Sequence, residues 1–539
     1  MASSAQNKLA RREFLRNSAV LGGLLLSRQA VPFLHAAQTA AQSQPLRAEI
    51  AVDADVVLHQ VDPKIYGTFI EHIGRAVYGG IYEEGSPLSD EEGFRKDVLH
   101  AANDWGVPVF RWPGGDFASG YHWMDGIGPK KDRPRRYNAA WFEEESNHFG
   151  THEFIDYCRK LHAEPYICVN LGTGTFEEAA NWVEYCNATT DTSFANLRRK
   201  NGATEPFRVK FWGLGNEVYG EWQIGHKSAE DYAELALEAG KLMKWVDPEV
   251  RLVACGGDSE WNRVVLEKLV HIVDYISLHD YEGSPDYYDT LASIKRLEEK
   301  IRQTSALIEV TDSLRMQGDP ILAMSLPKKK ERIEIAVDEW NVWYRKRDLW
   351  RRDVPNPVEE VYNLRDALWI ASGLNLFQRM GKVVTMANLA QLVNVLAPML
   401  TSKTGMVLQP TYFPMKLYHQ ECGTNFLQTR TSSPTFSSKS FTEIPYLDVA
   451  ATSGDKFLAL AVVNRHEKQS IATNIRVSGA RLASDGKAFE INGPSPDAEN
   501  TAADPQKVAI QEKRAAAEGQ TFSYEYPAHS VTVLKFSLS

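Results

Sequence analysis

Cysteine is scarce in this sequence. Five cysteines occur among 539 residues, and no group of Cys and His has the spacing of a zinc site. The odd number also argues against a disulfide framework. We therefore predict a chain that needs neither structural zinc nor disulfides, and we predict no metal ion and no other cofactor.

Basic residues are fewer than acidic ones, and the formal net charge is −10. Proteins that bind nucleic-acid backbones usually carry a basic face, so no nucleic-acid partner is predicted. Several catalytic motifs are also missing. The sequence has no GxSxG of serine hydrolases, no HExxH of zinc peptidases, and no GxGxxG or Walker sequence after its first strand-like run. These absences disfavour nucleotide-binding and common hydrolase classes.

Long apolar runs are absent from the mature sequence, so a stable membrane anchor is not expected. The amino terminus has a basic stretch, a short apolar stretch and then small residues, which is the pattern of an export signal. ARREFLR (10–16) resembles a twin-arginine signal, although Ala10 replaces the usual Ser or Thr. Residues 1–40 are therefore expected to direct export to the periplasm or the cell exterior, with an uncleaved anchor as the alternative.

A single pattern repeats between residues 62 and 414. Short apolar runs rich in β-forming residues end in polar or glycine-containing turns, and helix-like stretches follow. The eight runs are 64–72, 107–115, 164–172, 207–217, 250–258, 271–281, 332–341 and 382–391. Eight such units predict an α/β fold, a closed (β/α)8 TIM barrel. An open doubly wound sheet is the alternative.

The residue pattern of the sequence changes after the barrel region. In residues 415–539, strand-like runs alternate with Gly, Pro, Ser and Asp, which predicts a C-terminal all-β sandwich, jelly-roll-like in form. Residues 41–61 also have strand character. Because they precede the barrel, we expect them to join that sandwich.

Polar residues stand at the ends of the eight runs, where a barrel forms its active site. They are Glu71, His72, Arg111, Asp116, Asn170, Asn216, Glu217, Asp258, His279, Tyr281, Glu339, Asn388 and Gln391. Glu217 and Glu339 close the fourth and seventh runs. Two carboxylates that face each other across such a mouth are what glycoside hydrolysis requires.

One carboxyl of such a pair must hold a proton and the other must be ionised. We expect burial and negative charge to keep Glu217 protonated, with Arg111 beside the ionised partner. Two readings stay open at this point. His279, Asp280, His72 and Glu71 could instead form the site of a metal hydrolase, or an inactive barrel could only bind sugars.

Several long motifs resemble those of glycoside hydrolase family 51, the α-L-arabinofuranosidases. They are IYGTFIEHIGRAVYGGIY (65–82), FRWPGGDFASGYHWMDGIGP (110–129), WGLGNEVYG (212–220), ISLHDY (276–281), VDEWNVWY (337–344) and MANLAQLVNV (386–395). The resemblance implies a metal-free retaining mechanism on a barrel with a C-terminal sandwich. It further implies exo-acting release of terminal α-L-arabinofuranosyl residues from arabinose-containing oligo- or polysaccharides, and assembly into a homo-oligomer.

The resemblance also implies roles for individual residues. Glu217 matches the acid/base and Glu339 the nucleophile, while Asn216 matches the residue that holds the sugar 2-hydroxyl. The remaining matches are substrate-binding or pocket-lining: Glu71, Arg111, His279, Tyr281 and Gln391.

The main departure from the family pattern is at Asp116. Asp116 stands where the family usually has Asn or Cys, and Ser119 replaces a frequent acidic residue. We expect Asp116 to add a third carboxyl to the substrate-binding pocket; the alternative is that it forms a salt bridge and changes nothing.

β-D-Galactofuranosidase or endo-β-1,4-glucanase activity on the same scaffold is the alternative function.

Overall fold

A computed structural model of the chain describes residues 45–315, 332–344 and 358–538. The predicted export signal, residues 1–40, lies outside the described residues. Within them, no helix combines the length and the apolar character that crossing a bilayer would require.

Eight parallel strands form a closed barrel, as the sequence predicts. They are β2 (Gly67–Phe69), β3 (Val109–Trp112), β6 (Glu164–Val169), β7 (Phe211–Leu214), β8 (Arg251–Ala254), β9 (Tyr275–Glu282), β10 (Glu334–Val342) and β11 (Val384–Leu389). Each coincides with one of the eight predicted runs, and β9 and β10 extend one residue beyond theirs. Inward-facing side chains such as Tyr166, Phe211 and Met386 fill the barrel as a buried cluster, so the barrel is a packed core and not a pore.

Helices alternate with the barrel strands and cover them. They are α1 (Lys96–Trp105), α2 (Thr151–Leu161), α3 (Phe176–Asn187), α4 (Ser193–Lys200), α5 (Ala229–Val246), α6 (Ser259–Leu269), α7 (Tyr287–Ala292), α8 (Ile294–Arg315), α9 (Leu364–Arg379) and α10 (Tyr412–Glu421). Local sequence sets their starts. Ser228 caps α5 and Asp258 caps α6, because each side chain accepts a hydrogen bond from a backbone N–H of the first turn.

The second sheet has nine strands in the order β21-β20-β23-β18-β17-β14-β1-β19-β22. Their bounds are β1 (Leu46–Gln60), β14 (Asn425–Ser432), β17 (Leu447–Ser453), β18 (Phe457–Asn464), β19 (Ile471–Ser478), β20 (Leu482–Asn492), β21 (Ala509–Ala516), β22 (Thr521–Tyr526) and β23 (Ser530–Leu538). Ala515 and Tyr526, from its two edge strands, share one apolar core. The sheet therefore folds over itself as a sandwich.

The first strand of the chain, β1, is an interior strand of this C-terminal sheet. It pairs antiparallel with β14 and parallel with β19. The boundary predicted at residue 415 falls inside helix α10. Three two-stranded sheets complete the fold: β4 (Arg136–Asn138) with β5 (Glu143–Glu145), β12 (Met399–Ser402) with β13 (Gly405–Leu408), and β15 (Thr435–Phe436) with β16 (Ile444–Pro445).

Candidate active site

A cavity of about 550 Å³ opens at the carboxyl ends of the barrel strands. Parallel strands of a barrel all end at one face, which is why residues far apart in sequence meet there. The predicted residues that line it are Glu71, Asp116, Glu217, His279, Tyr281, Glu339 and Gln391. Arg111 and Asn216 are buried against this lining, because Arg111 donates to both Glu339 and Asn216.

Three other polar residues at strand ends do not join the cavity. Asn170 and Asn388 donate to backbone carbonyls, those of Tyr121 and Thr68. The Asp258 side chain caps helix α6 by accepting a hydrogen bond from the Trp261 backbone N–H. These side chains stabilise the loops around the mouth and have no part in the cavity lining.

The carboxylate of Glu339 is held by two donors. Arg111 Nη1 donates to Oε1 at 2.7 Å, and the Tyr281 hydroxyl donates to Oε2 at 2.6 Å. The same guanidinium donates to Asn216 Oδ1 at 2.6 Å through Nη2. A charge-assisted pair of this kind fixes a carboxylate in one orientation. Glu339 is therefore pointed at the cavity before any substrate arrives.

A bulge in β10 places two consecutive carboxylates on the same side of the strand. Against β9, Ala336 pairs with Ser277 and Glu339 with His279, so β10 contains one extra residue; the same shift occurs against β11. Successive side chains of a regular strand point to opposite faces, and a bulge re-aims one of them. Asp338, which is 1% exposed, therefore contacts Arg111 and His279, two residues that also contact Glu339. Asp338 is not among the predicted site residues, although the acidic pair DE at the end of this strand is a signal for it.

Glu217 follows β7 with a φ of 43°, in the left-handed region that non-glycine residues rarely adopt. Such strain concentrates at functional sites. Its Oε1 lies 2.7 Å from His279 Nδ1, and its Oε2 accepts from Trp222 Nε1 at 3.2 Å. The Tyr219 hydroxyl also donates to Oε1, at 3.3 Å.

These contacts reverse one expectation about protonation. Burial would raise the pKa of Glu217, but the hydrogen bond and charge of His279 outweigh it and hold that pKa below its usual value. Burial would lower the pKa of His279, but Glu339, Asp338 and Glu217 raise it to about 10. The prediction that burial keeps Glu217 protonated is therefore wrong in direction, because these contacts favour the proton on His279.

Glu71 forms one wall of the cavity. Its Oε1 accepts from the Phe117 backbone N–H at 2.8 Å and from Trp141 Nε1 at 2.7 Å. Burial raises its pKa to about 8, against the effect of these two donors. A Cβ at Gly115 would lie 2.8 Å from Glu71 Oε2, so a larger residue at this position of the PGG turn would displace the Glu71 carboxyl. A neutral Glu71 can donate through Oε2.

Asp116 is oriented by a chain of hydrogen bonds. The Ser119 hydroxyl donates to Gln223 Oε1 at 2.9 Å, and Gln223 Nε2 donates to Asp116 Oδ1. Its hydrogen-bond partner is thus an amide and not a cation. Burial raises the pKa of Asp116 well above its usual value, and the charges of Glu217, Glu71 and Glu339 raise it further. These effects favour the neutral form of Asp116 in this pocket.

Asp116→Asn should keep kcat/KM within about threefold of the wild-type value near neutral pH, because Asn reproduces a neutral carboxyl and its bond to Gln223. Asp116→Leu should lower it about tenfold or more, since the buried Gln223 amide then has no acceptor. Initial rates on an aryl arabinofuranoside measure both. Asp125→Asn, in the same loop but paired with Arg136, is the control. A loss above 100-fold in Asp116→Asn would show that a charged carboxylate is required.

The metal site considered from the sequence does not assemble. His72 Nδ1 lies 2.7 Å from Glu145 Oε2, and Nε2 accepts from Trp112. Asp280 pairs with Lys300. Among the described residues, Glu217, His279 and Glu339 do offer ligand atoms within 4.8 Å of one another. Since His279 Nδ1 and Glu217 share a hydrogen bond, we interpret this cluster as a site of proton transfer.

Aromatic side chains around the mouth were not predicted. Trp141, Tyr219, Trp222 and Trp343 line the cavity, and Trp222 is 55% exposed. Aromatic faces suit the apolar faces of sugar rings, and the exposed Trp222 donates to Glu217. Their loops vary in length and direction, so the sequence alone does not show which of its many aromatics reach the mouth.

Two family models match the chain. The α-L-arabinofuranosidase 1 domain matches residues 101–299, and the α-L-arabinofuranosidase C-terminal domain matches residues 338–530. Among curated proteins, α-L-arabinofuranosidase C of Emericella nidulans is 38% identical over 514 residues, covering 90% of this chain and 97% of the relative. The intracellular exo-α-(1→5)-L-arabinofuranosidase of Halalkalibacterium halodurans is 40% identical over 443 residues, covering 79% and 86%.

Solved structures show the same similarity. The crystal structure of α-L-arabinofuranosidase from Thermotoga maritima in complex with arabinose superposes with a TM-score of 0.83 at 42% identity, covering 91% of this chain and 100% of that one. The α-L-arabinofuranosidase of Thermotoga petrophila gives the same TM-score and identity, with 90% and 99% coverage. The aligned regions therefore include both the barrel and the sandwich.

Proposed function

The chain belongs to glycoside hydrolase family 51, the α-L-arabinofuranosidases, and we propose on that premise that Glu339 is its nucleophile and Glu217 its acid/base. The observation that carries the proposal is their proximity: a carboxylate oxygen of Glu217 lies within 4.8 Å of a carboxylate oxygen of Glu339. Inverting enzymes need a wider gap to admit a water, whereas retaining enzymes hold the two groups close. The protein is a retaining glycosidase.

The reaction follows as a double displacement. Glu339, fixed by Arg111 and Tyr281, attacks the anomeric carbon while Glu217 delivers a proton to the departing oxygen. A covalent glycosyl–enzyme forms, and Glu217 then takes a proton from the water that hydrolyses it. The glycosyl ester at Glu339 is uncharged, so Arg111 loses one anionic partner when it forms. Asp338, whose Oδ2 lies 3.5 Å from Arg111 Nε, stays as the anionic partner of the guanidinium.

We assign sugar binding to polar groups with spare hydrogen-bonding capacity. Asn216 Oδ1 accepts from Arg111, but its buried Nδ2 has no partner among the described residues. An orphaned buried donor is costly, and a sugar 2-hydroxyl would satisfy it. Burial favours the neutral forms of Glu71 and Asp116, which can donate to other hydroxyls. Gln391 accepts from the Glu71 backbone N–H through its Oε1. His279 and Tyr281 act through the two carboxylates they contact.

We propose exo-acting release of terminal α-L-arabinofuranosyl residues from arabinose-containing oligo- or polysaccharides. The support is the cavity of about 550 Å³, which is the size of a binding pocket for a small ligand. The test is a parallel screen of aryl α-L-arabinofuranoside, aryl β-D-galactofuranoside and a β-1,4-glucan, with the first-formed anomer identified by NMR. Fastest turnover of the arabinofuranoside, with retention, is expected. Preferred cleavage of the glucan would contradict exo action.

We also propose that the chain is exported. The support is the ARREFLR motif (10–16) followed by a short apolar stretch. In a host with a twin-arginine pathway, activity should appear outside the cytoplasm, and the double substitution of Arg11 and Arg12 by Lys should hold it inside. Equal cytoplasmic activity with and without the double substitution would contradict export; the Halalkalibacterium halodurans relative is named as intracellular.

A further inference from the structure

The bulge in β10 places Asp338 in a buried group of charged residues. The double displacement gives Asp338 no step of its own. Asp338 Oδ2 accepts from the Tyr166 hydroxyl at 2.8 Å and lies 3.5 Å from Arg111 Nε. Its Oδ1 lies 3.2 Å from His279 Nε2. A buried carboxylate is costly unless it is paired. Tyr166 donates a hydrogen bond to Asp338, and Arg111 Nε and His279 Nε2 lie at ion-pair distance from it.

His279 thus connects two carboxylates through its two ring nitrogens. Nε2 faces Asp338, and Nδ1 lies 2.7 Å from Glu217 Oε1. A carboxylate opposite one imidazole nitrogen keeps a hydrogen on that nitrogen and thereby sets which tautomer forms when the ring is neutral. With Nε2 protonated, the hydrogen that can leave the ring is the one on Nδ1, and it points at Glu217.

We propose that Asp338 is a positioning residue that fixes His279, so that the Nδ1 proton of His279 passes to Glu217 and from there to the leaving oxygen. This inference rests on the proposed roles of Glu217 and Glu339. In the first step the Nδ1–H bond breaks and a bond from hydrogen to Glu217 Oε1 forms. Glu217, neutral after this transfer, then gives that proton to the leaving oxygen and becomes a carboxylate again, as the glycosidic bond breaks and the bond from Glu339 to the anomeric carbon forms.

The second step reverses this transfer. Water loses a proton to Glu217 as it bonds to the anomeric carbon, Glu339 regains its charge, and Nδ1 regains its proton. Glu339 is the largest of the charges that raise the pKa of His279, against desolvation by burial. Forming the ester removes that charge, so the imidazolium becomes a stronger acid at the moment when the leaving group needs a proton. Asp338 keeps its charge throughout.

Several elements present titratable or charged groups to the Asp338–His279 pair. They are Arg111 on β3, Tyr166 and Cys168 on β6, Glu217 and Tyr219 after β7, Tyr232 on α5, Cys255 after β8, Tyr281 on β9 and Glu339 on β10, with Glu71 and Asp116 across the cavity. Burial would raise the pKa of Asp338, but Arg111 and His279 hold it below its usual value. Asp338 is therefore the fixed anion of the pair over the working pH range.

Asp338→Asn tests the proposal, because Asn keeps the shape and an acceptor for Nε2 while removing the charge. Loss of an anion lowers the pKa of His279, so its proton is lost at lower pH. The alkaline limb of kcat/KM on an alkyl arabinofuranoside should move down by about one pH unit or more. The rate at pH 8 should then change little, whereas near pH 10 it should fall about fivefold or more. On 2,4-dinitrophenyl arabinofuranoside, which needs no acid, the fall should be under about threefold.

Asp280→Asn is the matched control. It neutralises a buried carboxyl one residue from His279 whose partner is the partly exposed Lys300, and it should leave the alkaline limb in place. An unshifted limb in Asp338→Asn, or an equal loss on both substrates at every pH, would overturn the proposal. Near- and far-ultraviolet circular dichroism establishes that each variant is folded.

Neutron diffraction from wild-type crystals grown in D₂O at neutral pD tests the same proposal without a variant. Deuterium on His279 Nε2, facing Asp338, is expected, and a bare Nε2 would overturn the inference. A wild-type protein that hydrolyses no arabinofuranoside would instead overturn the proposed function, whatever the positions of the protons.

Discussion

Glu339→Ala is expected to lose activity on every glycoside, by on the order of 10⁵-fold in kcat. The loss should not depend on the leaving group, because the attacking atom itself is gone. Removal of the carboxylate leaves space beside Arg111 and Tyr281, both of which contact Glu339, and a small anion can occupy it. Azide should therefore restore turnover of an activated arabinofuranoside and yield the glycosyl azide of inverted configuration, which NMR identifies.

Glu334→Ala is the matched control for this variant. Glu334 begins the same strand at the opposite end of the barrel and accepts from Thr385. Its loss should change kcat by less than about twofold, since surface substitutions away from a site have small effects. A glycosyl azide of retained configuration from Glu339→Ala would assign the nucleophile to another residue.

Glu217→Ala is expected to separate substrates by their leaving groups. On alkyl glycosides and oligosaccharides kcat/KM should fall by about 10²- to 10⁴-fold, because general acid catalysis is lost. A 2,4-dinitrophenyl arabinofuranoside should still form the glycosyl–enzyme at nearly the wild-type rate. Its hydrolysis then lacks a base, so the intermediate should accumulate, with a burst of phenolate and a lowered KM. Azide should release the glycosyl azide of retained configuration.

The pH profile gives a second measurement of this variant. In the wild type, the rate should fall on the alkaline side as the proton shared by His279 and Glu217 is lost, and the raised pKa of His279, about 10, places that fall well above neutral pH. With the activated substrate, Glu217→Ala should show no such limb. Glu221→Ala, an exposed neighbour in the same loop, is the control. Equal loss on all leaving groups would argue against an acid/base role.

Sequence could predict the barrel because its signal is repeated. Each of the eight strands is short and apolar and is followed by a polar turn, so one irregular unit such as β2, of three residues, does not obscure the rest. It could also predict the set of residues at the mouth. Strand ends are fixed by the alternation itself, and a closed barrel brings all of them to one face.

What sequence could not predict was the environment of each group. The bulge in β10 depends on the pairing of that strand with two neighbours, and without it Asp338 would point away from His279. The protonation of Glu217 was mispredicted for the same reason. Burial was inferable from the apolar strand, but the 2.7 Å contact with His279, which decides the direction of the pKa shift, is a tertiary contact.

The loops were also beyond the sequence. The long connection after β3 turns back over the barrel so that Trp141 donates to Glu71, and Glu145 pairs with His72. Nothing in the spacing of these residues indicates the contact. The same connection accounts for the conversion of His72 from a possible metal ligand into a buried structural side chain with both ring nitrogens occupied.

The interior place of β1 makes the C-terminal sheet a poor unit for transplantation. In the order β17-β14-β1-β19-β22, removal of β1 would separate β19 and β22 from the rest of the sheet. A fragment that starts after Gln60, or the sandwich expressed alone from residue 415, would lack that strand. During synthesis β1 must also wait for most of the chain before its neighbours β14 and β19 exist. The pairing of β1 in this sheet can therefore form only late in synthesis.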